Sequence, residues 1–131
     1  IEENLSKTGV VVHREPLPIQ QALSGCHLFL HHGSAGCAVQ GLTLGRAQLL
    51  FLPGDAEKRL ICNALVDLGV AKFIQSDELA PDLAEEIKAF CFDQKTLQRA
   101  RTLAGQIAAR PSVDPITTIT DHCDALLSKL A

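Results

Sequence analysis

The stretch HLFLHHGSAGCAVQGLTLGRAQLLFLP, residues 27–53, decides the architecture. HLFLHH is a short apolar run of the kind that forms a buried strand. Gly33 and Gly36 then break it, and SAGCAVQGLTLG takes up a helical apolar pattern, with Val39 and Leu42 expected to face inward and Gly45 to end the helix. AQLLFLP is a further strand, closed by Pro53.

Reading outward, the same alternation recurs. Upstream, the valines of GVVVHREP (Val10 to Val12) predict a short buried strand ended by Pro16. LPIQQALSGC predicts a short helix with Ile19, Ala22 and Leu23 on one face and Gly25 as its stop. Downstream, DAEKRLICNALVDLG predicts a helix with Leu60, Ala64 and Leu68 at helical spacing, ended by Gly69, and VAKFIQ a fourth strand. The remainder is helical. SDELAPDLAEEIKAFCFD carries the stripe Leu83, Ile87, Phe90, with Pro81 suited to a first turn. QKTLQRARTLAGQIAAR stops at Pro111, and the last helix sets Ile116, Ile119, Cys123, Leu126 and Leu130 along one side. Ile1 to Thr8 reads as a loose lead-in.

Short apolar strands alternating with helices predict an α/β fold: a Rossmann-like parallel sheet of about four strands, helices on both faces, and a helical C-terminal tail. Right-handed crossovers follow. Residues 1–131 are enough for one domain with a real core. At 47% hydrophobic and 21% charged, the chain is globular in composition. A net charge of −3 without a basic run argues against nucleic acid. Charged or turn residues interrupt every apolar stretch before it reaches a membrane span, and no leader peptide is visible. Five scattered cysteines without C-x-x-C imply free, mostly buried thiols in a reducing cytoplasm. The absence of methionine, even at position 1, suggests a piece of a longer protein.

His31 to Gly36 lies where a strand becomes a helix, at the carboxyl end of a parallel sheet, which is where such sheets bind ligands. The first amides of a helix lack internal partners and carry partial positive charge. Ser34 can cap the helix, glycines admit a close ligand, and His32 adds a donor. Together they would seat a diphosphate. A glycine-rich turn without a ligand has the same spacing, and the spacing alone leaves both readings open. His31 reads as a strand-end residue packed against a neighbour.

Other groupings carry less. His13, His27, His31 and His32 with Cys26 and Cys37 match no zinc spacing, so no metal is expected. Asp55 and Glu57 read as a solvated charged loop rather than a catalytic pair, and DELAPDLAEE as an acidic helix start. There is no Ser-His-Asp signature and no phosphate loop ending in Gly-Lys-Ser.

HHGSAGCAVQGLTLGRAQLLFLPGDAEKRLICNALVDLGVA resembles the carboxyl-terminal donor-binding domain of nucleotide-sugar glycosyltransferases with two Rossmann domains, those of bacterial macrolides and natural products and the UDP-glycosyltransferases. The likeness runs from about Gly9 to Gly69 and includes VVVHREPLPIQQALSGCHLFLHHG. It implies that His32 contacts the donor diphosphate and that Gly33, Ser34, Ala35 and Gly36 offer it backbone amides. By the same resemblance Gln40 stands at a ribose-binding glutamate position, while Glu57 and Lys58 fall on an acid–glutamine pair that reads the sugar. Cys37 replaces a usual Ser or Thr of the loop, and Ala47 a usual proline. Lys58 in place of glutamine could pair with Glu57, face solvent or meet an acidic sugar.

The resemblance further implies a nucleoside-diphosphate sugar as substrate, no cofactor, and no catalytic residue in this chain. The catalytic base would sit on a missing amino-terminal acceptor domain, leaving the isolated chain inactive. The alternative is a non-catalytic or degenerate nucleotide-binding module that docks on a partner domain.

Overall fold

A computed structural model describes residues 9–51, 55–74, 83–111 and 114–130. In chain order these form α1 (Ile19–Ser24), β1 (Leu28–His31), α2 (Ala35–Thr43), β2 (Ala47–Phe51), α3 (Ala56–Asp67), β3 (Ala71–Ile74), α4 (Leu83–Cys91), α5 (Gln94–Ala108) and α6 (Pro115–Leu130). The three strands form one parallel sheet in the order β1-β2-β3. Leu28 lies opposite Ala47 and His31 opposite Leu50, while Gln48 lies opposite Ala71 and Phe51 opposite Ile74.

The central strand β2 is buried from Ala47 to Leu50, as a strand covered on both faces must be. Its side chains alternate between two cores. On one face Leu50 packs with Ala38 of α2, Cys62 and Leu65 of α3, Val70 and Ala100. On the other, Ala47 and Leu49 pack with Ile74, Phe90 of α4 and Leu97 of α5. Helix α5 thus joins both cores and lies beside Gly45 and Gly69, the turns that precede β2 and β3. It closes the amino ends of the strands and leaves their carboxyl ends to the site described below. Asp93 caps α5 by accepting the amide of Lys95 at 3.1 Å.

Several expectations are corrected. Val10 to Val12 form no strand, and Val11 is 75% exposed, so the sheet has three strands rather than four. Their β-branched side chains favour extended backbone, but no neighbouring strand among the described residues takes up their hydrogen bonds. Helix α2 turns Ala38 and Gly41 inward, with Leu42 partly buried against them, and leaves Val39 55% exposed. The reason is Gln48: a Cβ added to Gly41 would stand 2.5 Å from Gln48 Cδ, so only small residues fit there. Helix α3 buries Cys62 and Leu65, not Leu60, Ala64 and Leu68, and Leu60 is 70% exposed. Of the α1 face only Leu23 is buried. Of the five thiols only that of Cys62 is buried; Cys123 is exposed and the others lie between.

The stripe Leu83, Ile87, Phe90 does pack on a core. Helix α6 forms as expected, yet Ile116, Ile119, Cys123 and Leu126 are exposed. The lead-in 1–8, Pro53 and Pro81 lie outside the described residues, as does the side chain of Leu130. No described helix is long and apolar enough to cross a membrane.

Candidate functional site

Strand β1 ends at His31 and α2 starts at Ala35, so three residues make the turn at the carboxyl end of the sheet. Gly33 carries it with φ +82°, a conformation that side chains disfavour. Space favours glycine there as well, since a Cβ would stand 2.7 Å from Cys62 Sγ of α3. Helix α3 therefore presses directly on the turn. Ser34 is the N-cap of α2: its hydroxyl accepts the Cys37 amide at 3.4 Å, and its carbonyl accepts the Ala38 amide at 2.9 Å.

The amides of the loop can be accounted for one by one. That of Gly33 points back and donates to His31 Nδ1 at 3.1 Å. That of Cys37 is used by the cap. The amides of Ser34, Ala35 and Gly36 have no protein partner among the described residues. Of the four amides expected to face a phosphate, three are open, and that of Gly33 is already committed. Among the described residues, a Cβ at Gly36 would meet nothing within 4 Å.

The side chains around this tip are partly as expected. His32 is exposed and has no hydrogen-bond partner among the described residues. Gln40 lies one turn beyond Gly36 on the same side of α2, with its Oε1 buried and unpartnered among the described residues. Glu57, in the first turn of α3, is exposed and makes no ion pair among the described residues. Lys58 pairs with Asp55, at 2.7 Å between Nζ and Oδ2, and not with Glu57. Asp55 also caps α3 by accepting the Lys58 amide at 2.9 Å. These bonds, the Lys58 ammonium first, hold the Asp55 carboxyl below the usual carboxylate range, and positive charge at His32 lowers it further.

Sequence reasoning missed a buried polar chain behind the turn. His31 Nε2 lies 2.8 Å from Gln48 Oε1, and Gln48 Nε2 donates to the Ala38 carbonyl at 3.3 Å. Both side chains are buried, His31 at 8% exposure and Gln48 at 0%. The His31 ring also stacks on Phe29, its centroid 4.5 Å away. Burial pushes the His31 imidazole below its ordinary pKa; the bond to Gln48 opposes this, and the charge of His32 adds to it. One signal was available: Gln48 stands alone among apolar residues in a central strand, where a buried amide requires partners.

Three unpaired amides at a positive helix end, with a free imidazole beside them, can hold a dianionic phosphate or diphosphate. The seat is distinct from a cavity of about 160 Å³ lined by Ser24, His27, Arg46 and Arg101 at the amino ends of β1 and β2. Among the described residues, no three His, Cys, Asp or Glu side chains gather as metal ligands would.

Residues 5–126 match the family described as erythromycin biosynthesis protein CIII-like, C-terminal domain. No curated protein sequence matches the chain. Among solved structures it is similar to the glycosyltransferase VinC in complex with dTDP, at 18% identity and a TM-score of 0.66 over 83% of this chain. It is also similar to the glycosyltransferase of kitacinnamycin, at 22% identity and 0.64 over 71% of this chain. A third is SnogD from Streptomyces nogalater, a glycosyltransferase, at 23% and 0.63 over 74%. At these identities the likeness concerns the fold. The chain spans 24%, 29% and 25% of the kitacinnamycin, VinC and SnogD chains, about a quarter of each. With the family matched from residue 5 to residue 126, this α/β chain belongs to the erythromycin biosynthesis protein CIII-like C-terminal domains.

Proposed function

We propose that residues 1–131 are the donor-binding portion of a larger glycosyltransferase, which moves a sugar from a nucleoside diphosphate onto an acceptor hydroxyl. One observation carries the reading: the unpaired amides of Ser34, Ala35 and Gly36 open at the carboxyl end of the sheet beside the unpartnered His32. Family membership and the dTDP bound by VinC support it.

In this account the helix tip and His32 bind the donor diphosphate and stabilise the negative charge that grows on it as the sugar departs. Gln40 offers an acceptor to a ribose hydroxyl once its side chain turns outward, since its Oε1 is buried and has no partner among the described residues. Glu57 is free to accept from a sugar hydroxyl, whereas Lys58 is occupied by Asp55. The base that deprotonates the acceptor lies on a part of the protein outside this chain, and the chain alone does not transfer sugar. No cofactor or metal takes part, and the five free thiols suit the cytoplasm.

Calorimetric titration with dTDP and UDP tests the reading. Binding that weakens about tenfold or more in His32→Ala is expected, as loss of a charge-assisted hydrogen bond would give. Binding unaffected by His32→Ala would contradict it. A second reading, a nucleotide-binding module that docks on a partner without transferring sugar, is favoured by the Lys58–Asp55 pair, which draws Lys58 away from a donor sugar. It predicts that the full-length protein binds nucleotide yet shows no turnover with any donor sugar.

A further inference from the structure

The chain from Ala38 to Gly33 allows one arrangement of hydrogens. The Ala38 carbonyl can only accept, so Gln48 presents its NH2 there and its oxygen to His31. That oxygen also only accepts, so the His31 proton sits on Nε2. Nδ1 is then bare and accepts the Gly33 amide. A second proton on the ring would set two N–H groups against each other at Nδ1, so the arrangement holds only for neutral His31.

Each member is fixed by packing. Gln48 is fully buried against Gly41, whose missing Cβ makes its space. Gly33 is pinned against Cys62. The bond from Gly33 to His31 turns one amide of the loop inward, and the three that follow are left facing solvent. The direction of the open amides is therefore set from inside the sheet.

We infer that His31 and Gln48 are positioning residues for the diphosphate seat: their buried relay from Ala38 to Gly33 holds the amides of Ser34, Ala35 and Gly36 outward. Neither touches the ligand. The inference rests on the donor-binding reading above, and its test separates the two.

The test joins ¹⁵N NMR of the His31 ring and the Gly33 amide with titration by dTDP. The ring should show Nε2 protonated and Nδ1 bare, and the Gly33 amide should exchange slowly. His31→Phe keeps the stacking on Phe29 but removes the acceptor. It should speed Gly33 exchange and weaken dTDP binding, each about tenfold. His31→Asn places an oxygen near the position of Nδ1 but leaves Gln48 Oε1 without its donor, so it should restore part of each loss. A proton on Nδ1 in the parent protein overturns the relay, and needs no variant to fold. So does His31→Asn behaving like His31→Phe in both readouts. If the ring and the Gly33 amide behave as stated but the parent protein binds neither dTDP nor UDP, the donor-binding reading falls and the relay serves the turn alone.

Discussion

Gly33 meets two constraints at once, a φ of +82° and a neighbouring thiol where its Cβ would be. Gly33→Ala should therefore cost about 2 kcal/mol, part backbone strain and part overpacking, read as a lower urea midpoint. Cys62→Ala would relieve the second part and should recover some of the loss. At His31 the effect is one of pH. Its folded-state pKa lies below the ordinary 6.5 because burial disfavours the charged ring, so the unfolded chain takes up the proton first. Its neutral form contributes stability that is complete above the unfolded pKa and is lost as pH falls through the folded one. Repulsion from the adjacent His32 acts on the His31 ring in the same direction as burial. Stability followed from pH 7 downward should fall in that window, and His31→Asn should flatten the fall. Asp55 acts at lower pH. Its carboxyl is held below the ordinary 3.8, so its support of α3 is present above that value and is lost as pH falls through the lower, folded value.

At the scale of elements, the strand–turn–helix–strand order of residues 27–53 was legible, because short apolar runs and glycines carry it directly. The rotation of the helices was not. Helix α2 and its C-cap Leu44 carry Cys37, Ala38, Val39, Leu42 and Leu44 nearly all round, so the hydrophobic pattern does not choose a face. The choice is made by Gln48, which admits Ala38 and Gly41 and would not admit larger residues. Ala38→Leu should then cost about 2 kcal/mol by overpacking. Val39→Ala should stay within about 0.5 kcal/mol, because little is buried there. Thermal or urea unfolding of the two variants distinguishes this phase from the expected one. The relay from His31 to Gln48 escaped the sequence for another reason: its members stand 17 residues apart and meet only through the parallel register of β1 and β2. The turn between His31 and Ala35 was readable as a candidate seat; which of its amides stay open depended on that hidden bond.

At the scale of the molecule, apolar surface is left over. Ile116, Ile119 and Leu126 on α6 are exposed, and Val10 to Val12 lie uncovered. Ile119→Ser and Leu126→Ser should each change the stability of the 131-residue chain by no more than about 0.5 kcal/mol, as expected where nothing packs. The cores instead gather around β2, and the carboxyl end of that sheet presents the loop from His32 to Gly36. Amide NMR during titration with dTDP reads the binding of a nucleoside diphosphate by that loop residue by residue. Large shifts are expected at Ser34, Ala35 and Gly36, with the Gly33 amide still bonded to His31. Saturating dTDP that leaves those three amides unmoved, or that shifts residues elsewhere on the chain in their place, would contradict that binding.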